Sequence, residues 1–308
     1  MFRFVFLRFL RAAVTVLAVM TFAFIVLRMS GDPAQVLLGP DVPQNIVDAF
    51  REQWGLDRPL WQQYLSYMGA IFQGDFGLSM RDRAPALDLV LERVPATLML
   101  TVPALILKIC VGIPAGIYAA LHRDSATDRG VILLAILGFT IPSFVMGLLL
   151  VLIFAVTLGV LPSGGYGSWQ NAILPAITIS IGGIGIIARF SRSAMIEVLG
   201  QPYIRTASAK GVKWRDVIRG HALPNAAIPI VTILGFMVGS LIAGAVVVET
   251  IFSWPGIGRL LIVSVSNRDL AVVQCILLLI AAVMVMSNLI VDLLYGWLDP
   301  RLRTNAAH

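Results

Sequence analysis

Lys108 is the one charged side chain near the middle of a long apolar stretch. A primary amine at that depth is a functional candidate, because placing a charge in hydrocarbon is costly. It could meet a substrate carboxylate. The plainer alternative is a four-carbon stem that carries the amine out to an interface. Glu249 and Asp292 lie near the ends of apolar stretches. No pair of carboxylates and no His–acid relay occurs at depth, which argues against a proton-driven transporter. His122 and His221 fall in polar segments and His308 is the last residue, so no nucleophile–base or metal pair can be assembled within the apolar runs. Cys110 and Cys275 have apolar neighbours and no CxxC spacing, and read as small buried hydrophobes. Gly183-Ile184-Gly185-Ile186-Ile187-Ala188 matches the dinucleotide fingerprint, but it lies inside an apolar run with no preceding strand and is a chance match. No Gly-Lys pair occurs, so the chain has no phosphate-binding loop of the Gly-Lys-Ser/Thr type.

Composition defines the elements that must position these residues. Of 308 residues, 58% are hydrophobic and only 13% are charged, against roughly 45–50% and 25% in soluble globular chains. Too few charges remain to cover a soluble surface, which excludes a cytosolic enzyme, a coiled coil and a disordered chain. The protein reads as all-α and integral to a membrane. A hydrocarbon core of about 30 Å needs roughly 20 apolar residues per helix, and six stretches qualify: Phe9 to Leu27, Val94 to Leu121, Val131 to Val160, Ile173 to Ala188, Ala227 to Val248 and Ala271 to Trp297. The first imitates a secretory signal, with Arg3, Arg8 and Arg11 near its start. It ends in Arg28-Met29-Ser30-Gly31 without a small-residue cleavage pattern, so an uncleaved helix is expected.

Basic residues set the orientation. With the amino terminus inside, the inner segments carry Arg123, Arg129, Arg301 and Arg303. The inner loop 189–226 adds Arg189, Arg192, Arg205, Lys210, Lys213, Arg215 and Arg219. The outer loop 161–172 has no basic residue. Both termini are therefore expected in the cytoplasm. The net charge of +6 is explained by topology and needs no nucleic acid. The chain divides into a first transmembrane helix (1–28), an extracytoplasmic loop (29–93), a five-helix core (94–297) and a cytoplasmic tail (298–308). Pro103, Pro114, Pro142, Pro175 and Pro229 fall in or beside spans, where neighbouring helices or water can satisfy the freed carbonyls. Gly112/Gly116 and Gly235/Gly239 have the spacing that lets helices approach closely.

Two loops carry information. In the outer loop, Asp41 and Gln44 have capping-box spacing with Pro43 in the first turn. Ile46, Val47, Phe50 and Trp54 then form an apolar face before Gly55. A second helix opens near Asp57 and Pro59, with Trp61, Tyr64, Leu65, Met68 and Phe72 on one face, and ends at Gly74. These helices could lie in the membrane interface, cap the bundle or receive an external partner. In the inner loop a helical stretch meets Gly211, and a short helix is expected from about Val212 to Gly220. Trp214, Val217 and Ile218 share its apolar face, with Lys213, Arg215, Asp216 and Arg219 around the rim. Such a helix suits either a groove on a soluble partner or an anionic lipid surface.

Ala207, Gly211, Leu223 and Pro224 match the spacing of the EAA loop of ABC importer permeases. The match departs at Arg205 and Thr206, which replace Glu and Ala, and at His221, which replaces Ile. Those departures resemble the dipeptide/oligopeptide/nickel branch, most of all its dipeptide-permease B-type subunits. Gly31-Asp32-Pro33, the run Gly55 to Leu60, the run Gly74 to Ser79, the run Val248 to Gly258, and Asp299-Pro300-Arg301 fit the same branch. The resemblance covers nearly the whole chain.

It implies a six-helix, type I (MetI-like) permease of the inner membrane with no catalytic residue, cofactor or metal of its own. A similar but distinct second permease would pair with it, and an extracytoplasmic binding protein would deliver dipeptides, oligopeptides or a related small solute. Two cytoplasmic ATPase subunits would bind ATP and Mg. The helix around Lys213 to Arg219 would be the coupling helix, seated in an ATPase groove. Trp214, Val217 and Ile218 would be its anchors, Gly211 its hinge, and Arg205, Thr206, Ala207, Lys210, Val212, His221, Leu223 and Pro224 its surroundings. Lys108 is a candidate for the translocation pathway. The competing expectation, a secondary transporter or channel, calls for coupled titratable groups at depth or an internal repeat.

Overall fold

The computed structural model describes residues 2–29, 31–39 and 41–298. The Asp299-Pro300-Arg301 motif, Arg303 and the side chains of Arg3, Arg8 and Asp292 lie outside the described residues. Among the described residues every regular element is helical, apart from one isolated bridge between Leu78 and Pro85.

Helix α1 (Phe2–Met29) is followed outside the bundle by α2 (Pro33–Leu38), α3 (Gln44–Gln53) and α4 (Leu60–Phe72). The core comprises α5 (Ala86–Leu107), α6 (Ile113–Leu121), α7 (Ala126–Thr140), α8 (Ser143–Leu150) and α9 (Gln170–Leu199). After α9 come α10 (Pro202–Ala209) and α11 (Trp214–Val217), leading into α12 (Leu223–Gly239), α13 (Leu241–Ile251), α14 (Ile257–Ser266) and α15 (Leu270–Leu298). Helix α9 is the axis: it packs against α5, α6, α7, α8, α12 and α13.

Among the described residues five helices are long and apolar enough to cross a membrane, and a bent pair, counted as one span, makes up to six. That pair divides the expected span 131–160: α7 and α8 are bent by 101° across Ile141-Pro142. Pro142 disfavours the helical region for Ile141, which adopts ψ 120°. The expected span 227–248 is likewise interrupted, at Ser240 between α12 and α13. The second span begins at Ala86 and runs 36 residues to Leu121, about 54 Å of helix and longer than the expected 94–121. The fourth continues to Leu199, so the first residues of the expected inner loop 189–226 are helix.

Among the described residues there are three π-helical segments, Lys108–Gly112, Val151–Thr157 and Ile218–Ala222; the second ends the α8 helix and the other two join successive helices. The first and third stand immediately before Ile113-Pro114 and Leu223-Pro224. A proline has no N–H for the usual i−4 bond and its ring crowds that carbonyl, and a widened turn absorbs both effects without ending the helix. Gly220 accordingly does not terminate the coupling segment, as its type had implied. The chain is helical from Trp214 to Gly239.

The capping box at Asp41 and Gln44 does not form: Gln44 is already the first residue of α3, and Pro43 precedes it with no side-chain cap. Gly55, at φ +62°, closes α3 as expected. The expected single face of α4 splits. Tyr64 hydrogen-bonds Thr21 of α1 at 2.8 Å and Met68 is buried, whereas Trp61, Leu65 and Phe72 point outward. The helix is wedged against Phe24, which meets Tyr64 edge-on and stacks on Tyr67.

Candidate functional site

The loop expected on the inner side is built from α10, a tight link and α11. Pro202 opens α10 at its first position, where a missing N–H costs nothing. Its end has the Schellman pattern: Val212 N–H donates to the Ala207 carbonyl at 3.4 Å and Gly211 N–H to that of Ser208 at 3.0 Å. Gly211 adopts φ +80° there, a backbone that side-chain-bearing residues rarely take up. Lys213 then precedes α11 in an extended conformation.

One apolar cluster fastens this loop to the bundle. Val217, fully buried, and Ile204 join Ala120 of α6, Met195 of α9 and Ala222. Ala207, Ile218 and Leu223 pack around it. Trp214 does not share this buried face, contrary to its spacing with Val217 and Ile218, and is 53% exposed. It lies in the first turn of α11, outside the cluster. Arg205, Thr206, Lys210, Val212, Lys213, Arg215, Asp216, His221 and Pro224 are exposed around it. The outcome is a short helix with a buried apolar heel and a free aromatic and basic tip.

The second locus lies within the bundle. A cavity of about 290 Å³ is lined by Lys108, Pro142, Ser143, Thr178, Gly182 and Ser240, among others. It stands where α7 breaks into α8 and α12 into α13. Lys108 is 8% exposed, so most of its side chain is held inside the chain, at the cavity wall. Its stem fills a slot at Gly183, where a Cβ would stand 2.5 Å from the Lys108 Cε. That approach gives the apparent dinucleotide fingerprint a packing role. The sequence singles out Lys108 but not Ser143, Thr178 or Ser240, which line the same cavity. The available signal was Pro142 inside an apolar run too long for one span.

Polar ties hold the ends of the helices. At one end of the bundle Glu249, fully buried, accepts the Thr97 hydroxyl at 2.7 Å and the Arg259 N–H at 3.1 Å. The Thr97 oxygen in turn accepts the Ile257 N–H at 2.8 Å, and the Trp254 indole donates to the Ala96 carbonyl at 2.8 Å. The Glu249 carboxylate thus supplies the N-terminal cap that α14 otherwise lacks. Nearby, the Ser79 hydroxyl donates to Asp269, which also accepts the Met80 N–H at 3.3 Å. Asp32 caps α2 through the Ala34 N–H and receives Arg51 at 2.6 and 2.8 Å. The quoted segments of the outer loop and of 248–258 are therefore fastenings between elements. Gly112 and Gly116 face α9, and Gly235 and Gly239 face α15.

Fold and site together define a polytopic helical membrane protein: a bundle with broken helices around an internal cavity and a short helical projection rooted in its core. The pattern of the "Binding-protein-dependent transport system inner membrane component" family matches residues 112–304, and that of its N-terminal region matches residues 1–101. The chain belongs to this family and is a multi-pass inner-membrane permease subunit of an ABC importer. It is 41% identical over 288 residues to the "Glutathione transport system permease protein GsiC" of Escherichia coli (strain K12), covering 94% of each chain. The protein of the same description from Shigella flexneri serotype 5b (strain 8401) gives the same figures. Among solved structures, an inward-facing MetNI methionine ABC transporter matches with a TM-score of 0.59 at 19% identity, covering 68% of this chain and 96% of that one. This likeness gives the fold, the MetI-like one.

Proposed function

We propose that the chain forms, with a second and distinct permease, the translocation pathway for small peptides delivered by an extracytoplasmic binding protein. Two cytoplasmic ATPase subunits, which bind ATP and Mg, drive it. The 41% identity to a glutathione permease over 94% of both chains supports a peptide-type substrate.

The observation that carries the mechanism is the contrast between Val217 and Trp214, three residues apart and respectively 0% and 53% exposed. Trp214, Lys213, Arg215 and Asp216 offer an aromatic anchor with a charged rim to an ATPase groove. Val217 and Ile204 bind the same segment to α6 and α9. The segment continues without a break into α12, so displacement of α11 moves a whole transmembrane helix. Closure of the ATPase pair on ATP would thereby reach the bundle as rigid-body motion, alternately opening the pathway outward and inward. The side chains of this subunit make and break no bonds.

Affinity purification of the tagged chain from mild detergent, with mass spectrometry of the intact complex, tests this reading. A second permease, two ATPases and a loaded binding protein are expected. Recovery of the chain alone or as a homo-oligomer would favour the secondary-transporter reading instead.

A further inference from the structure

The cavity between the helix breaks combines three features that point to an anion. Lys108 is more than nine-tenths buried and lines the cavity. Neither a charged partner nor a hydrogen-bond acceptor among the described residues engages its amine. Helix α8 starts at the same cavity, at Pro142 and Ser143, with no side-chain cap. The N–H groups of its first turn have no acceptor within the helix, and the helix dipole places partial positive charge there. No carboxylate is among the residues lining the cavity. An ammonium group and an uncapped helix N-terminus facing one space form a complementary pair for a negatively charged oxygen pair.

We propose that this cavity is a station in the pathway that binds the carboxylate of a passing peptide, with Lys108 supplying the charge and the first turn of α8 the N–H donors. The volume, about 290 Å³, corresponds to roughly ten liquid waters and takes one end of a peptide. Because the station lies where α7 meets α8 and α12 meets α13, its occupancy bears on two helix junctions at once. A change in their angle would alter the distance between Lys108 and the α8 N-terminus and release the carboxylate, so binding and release need no titration. The identity of the anion as a peptide carboxylate rests on the function proposed above; the anion site itself does not.

The test uses the whole transporter in membrane vesicles, with Cys110 and Cys275 replaced by Ala and Ser143→Cys as a reporter. Its modification is timed with an anionic sulfonatoethyl and a cationic trimethylammonioethyl methanethiosulfonate. The anionic reagent is expected to react faster, and Lys108→Met to lower the anionic-to-cationic rate ratio by about tenfold, the effect of one lost charge-assisted interaction. Lys108→Arg should retain the ratio. A ratio unchanged by Lys108→Met, or no modification by either reagent, overturns the proposal. S-Methylglutathione, which has no thiol to consume the reagents, should slow the anionic reaction in the presence of binding protein and ATP, and its diamide should not. A preserved charge preference without protection by S-methylglutathione or by alanyl-alanine would overturn the peptide carboxylate as occupant while leaving the anion site standing.

Discussion

Arg192 of α9 and Asp128 of α7 are joined by two parallel hydrogen bonds, from Nε to Oδ1 at 2.5 Å and from Nη2 to Oδ2 at 2.7 Å. The Asp128 side chain is 2% exposed and also accepts the Asp124 N–H at 3.0 Å. One carboxylate therefore fastens the turn between α6 and α7 to the axial helix.

Removing one member of this pair leaves the other buried without its partner. Arg192→Ala is expected to destabilise the protein by about 1–3 kcal/mol and to expose the 122–125 turn. Arg192→Lys should recover only part of this, because an ammonium cannot reproduce the two-point fork. Melting of the detergent-solubilised complex and limited proteolysis check both; an Arg192→Ala protein that melts like wild type removes the tie's importance.

Thr97 both donates to Glu249 and accepts from Ile257. Thr97→Val keeps the shape but leaves two buried groups unmatched, and a loss of about 1–3 kcal/mol follows. Thr97→Ser retains the hydroxyl and should lose less than half as much. Hydrogen exchange at the start of α14 is the direct readout. Equal protection in the Val and Ser variants would show that the Glu249 cap needs no help from Thr97.

Trp214→Ala should leave folding and membrane insertion unchanged, since the ring is outside the apolar cluster. ATP hydrolysis and peptide uptake should separate in reconstituted vesicles, with uptake falling at least about tenfold, the equivalent of 1.4 kcal/mol. Val217→Asp should instead lower the yield of folded protein, because it buries a charge among Ile204, Met195 and Ala222. Uptake at the wild-type rate in Trp214→Ala would contradict the assignment of α11 as the coupling element.

Gly211→Asp places a side chain where φ is +80°, at a backbone cost of roughly 1–2 kcal/mol. The Schellman turn that sets the angle between α10 and α11 should loosen, while insertion persists. Uptake and ATPase rates measured together decide it: normal coupling in this variant would mean that the turn has no part in transmission.

Much was legible in the residues themselves. An apolar fraction of 58% admits only a membrane protein, because too few charges remain to cover a soluble surface. Basic residues between spans oriented it, and the spacing of Ala207, Gly211, Leu223 and Pro224 indicated the family. Helix punctuation was legible where a single residue dictates the backbone, as at Gly55 and Gly211. It misled where two effects compete. Gly220 read as a stop, but the chain continues through a π turn that also accommodates Pro224.

Which way apolar side chains face was decided only by the tertiary structure. Helical spacing shows that Trp214 and Val217, or Tyr64, Leu65, Met68 and Phe72, can share an apolar face, but not which of them meets the bundle and which is left for another surface: Val217 and Met68 are buried, Trp214, Leu65 and Phe72 exposed. The partners of buried polar groups were equally hidden. Glu249 and Thr97 are separated by 152 residues, and Asp128 and Arg192 by 64; nothing in the local sequence of either names the other. The role of Lys108 turned on the same distinction. Its sequence position gave an amine within an apolar run, and only the convergence of two broken helices placed that amine against a cavity, because the breaks themselves depend on how α7, α8, α12 and α13 pack around α9.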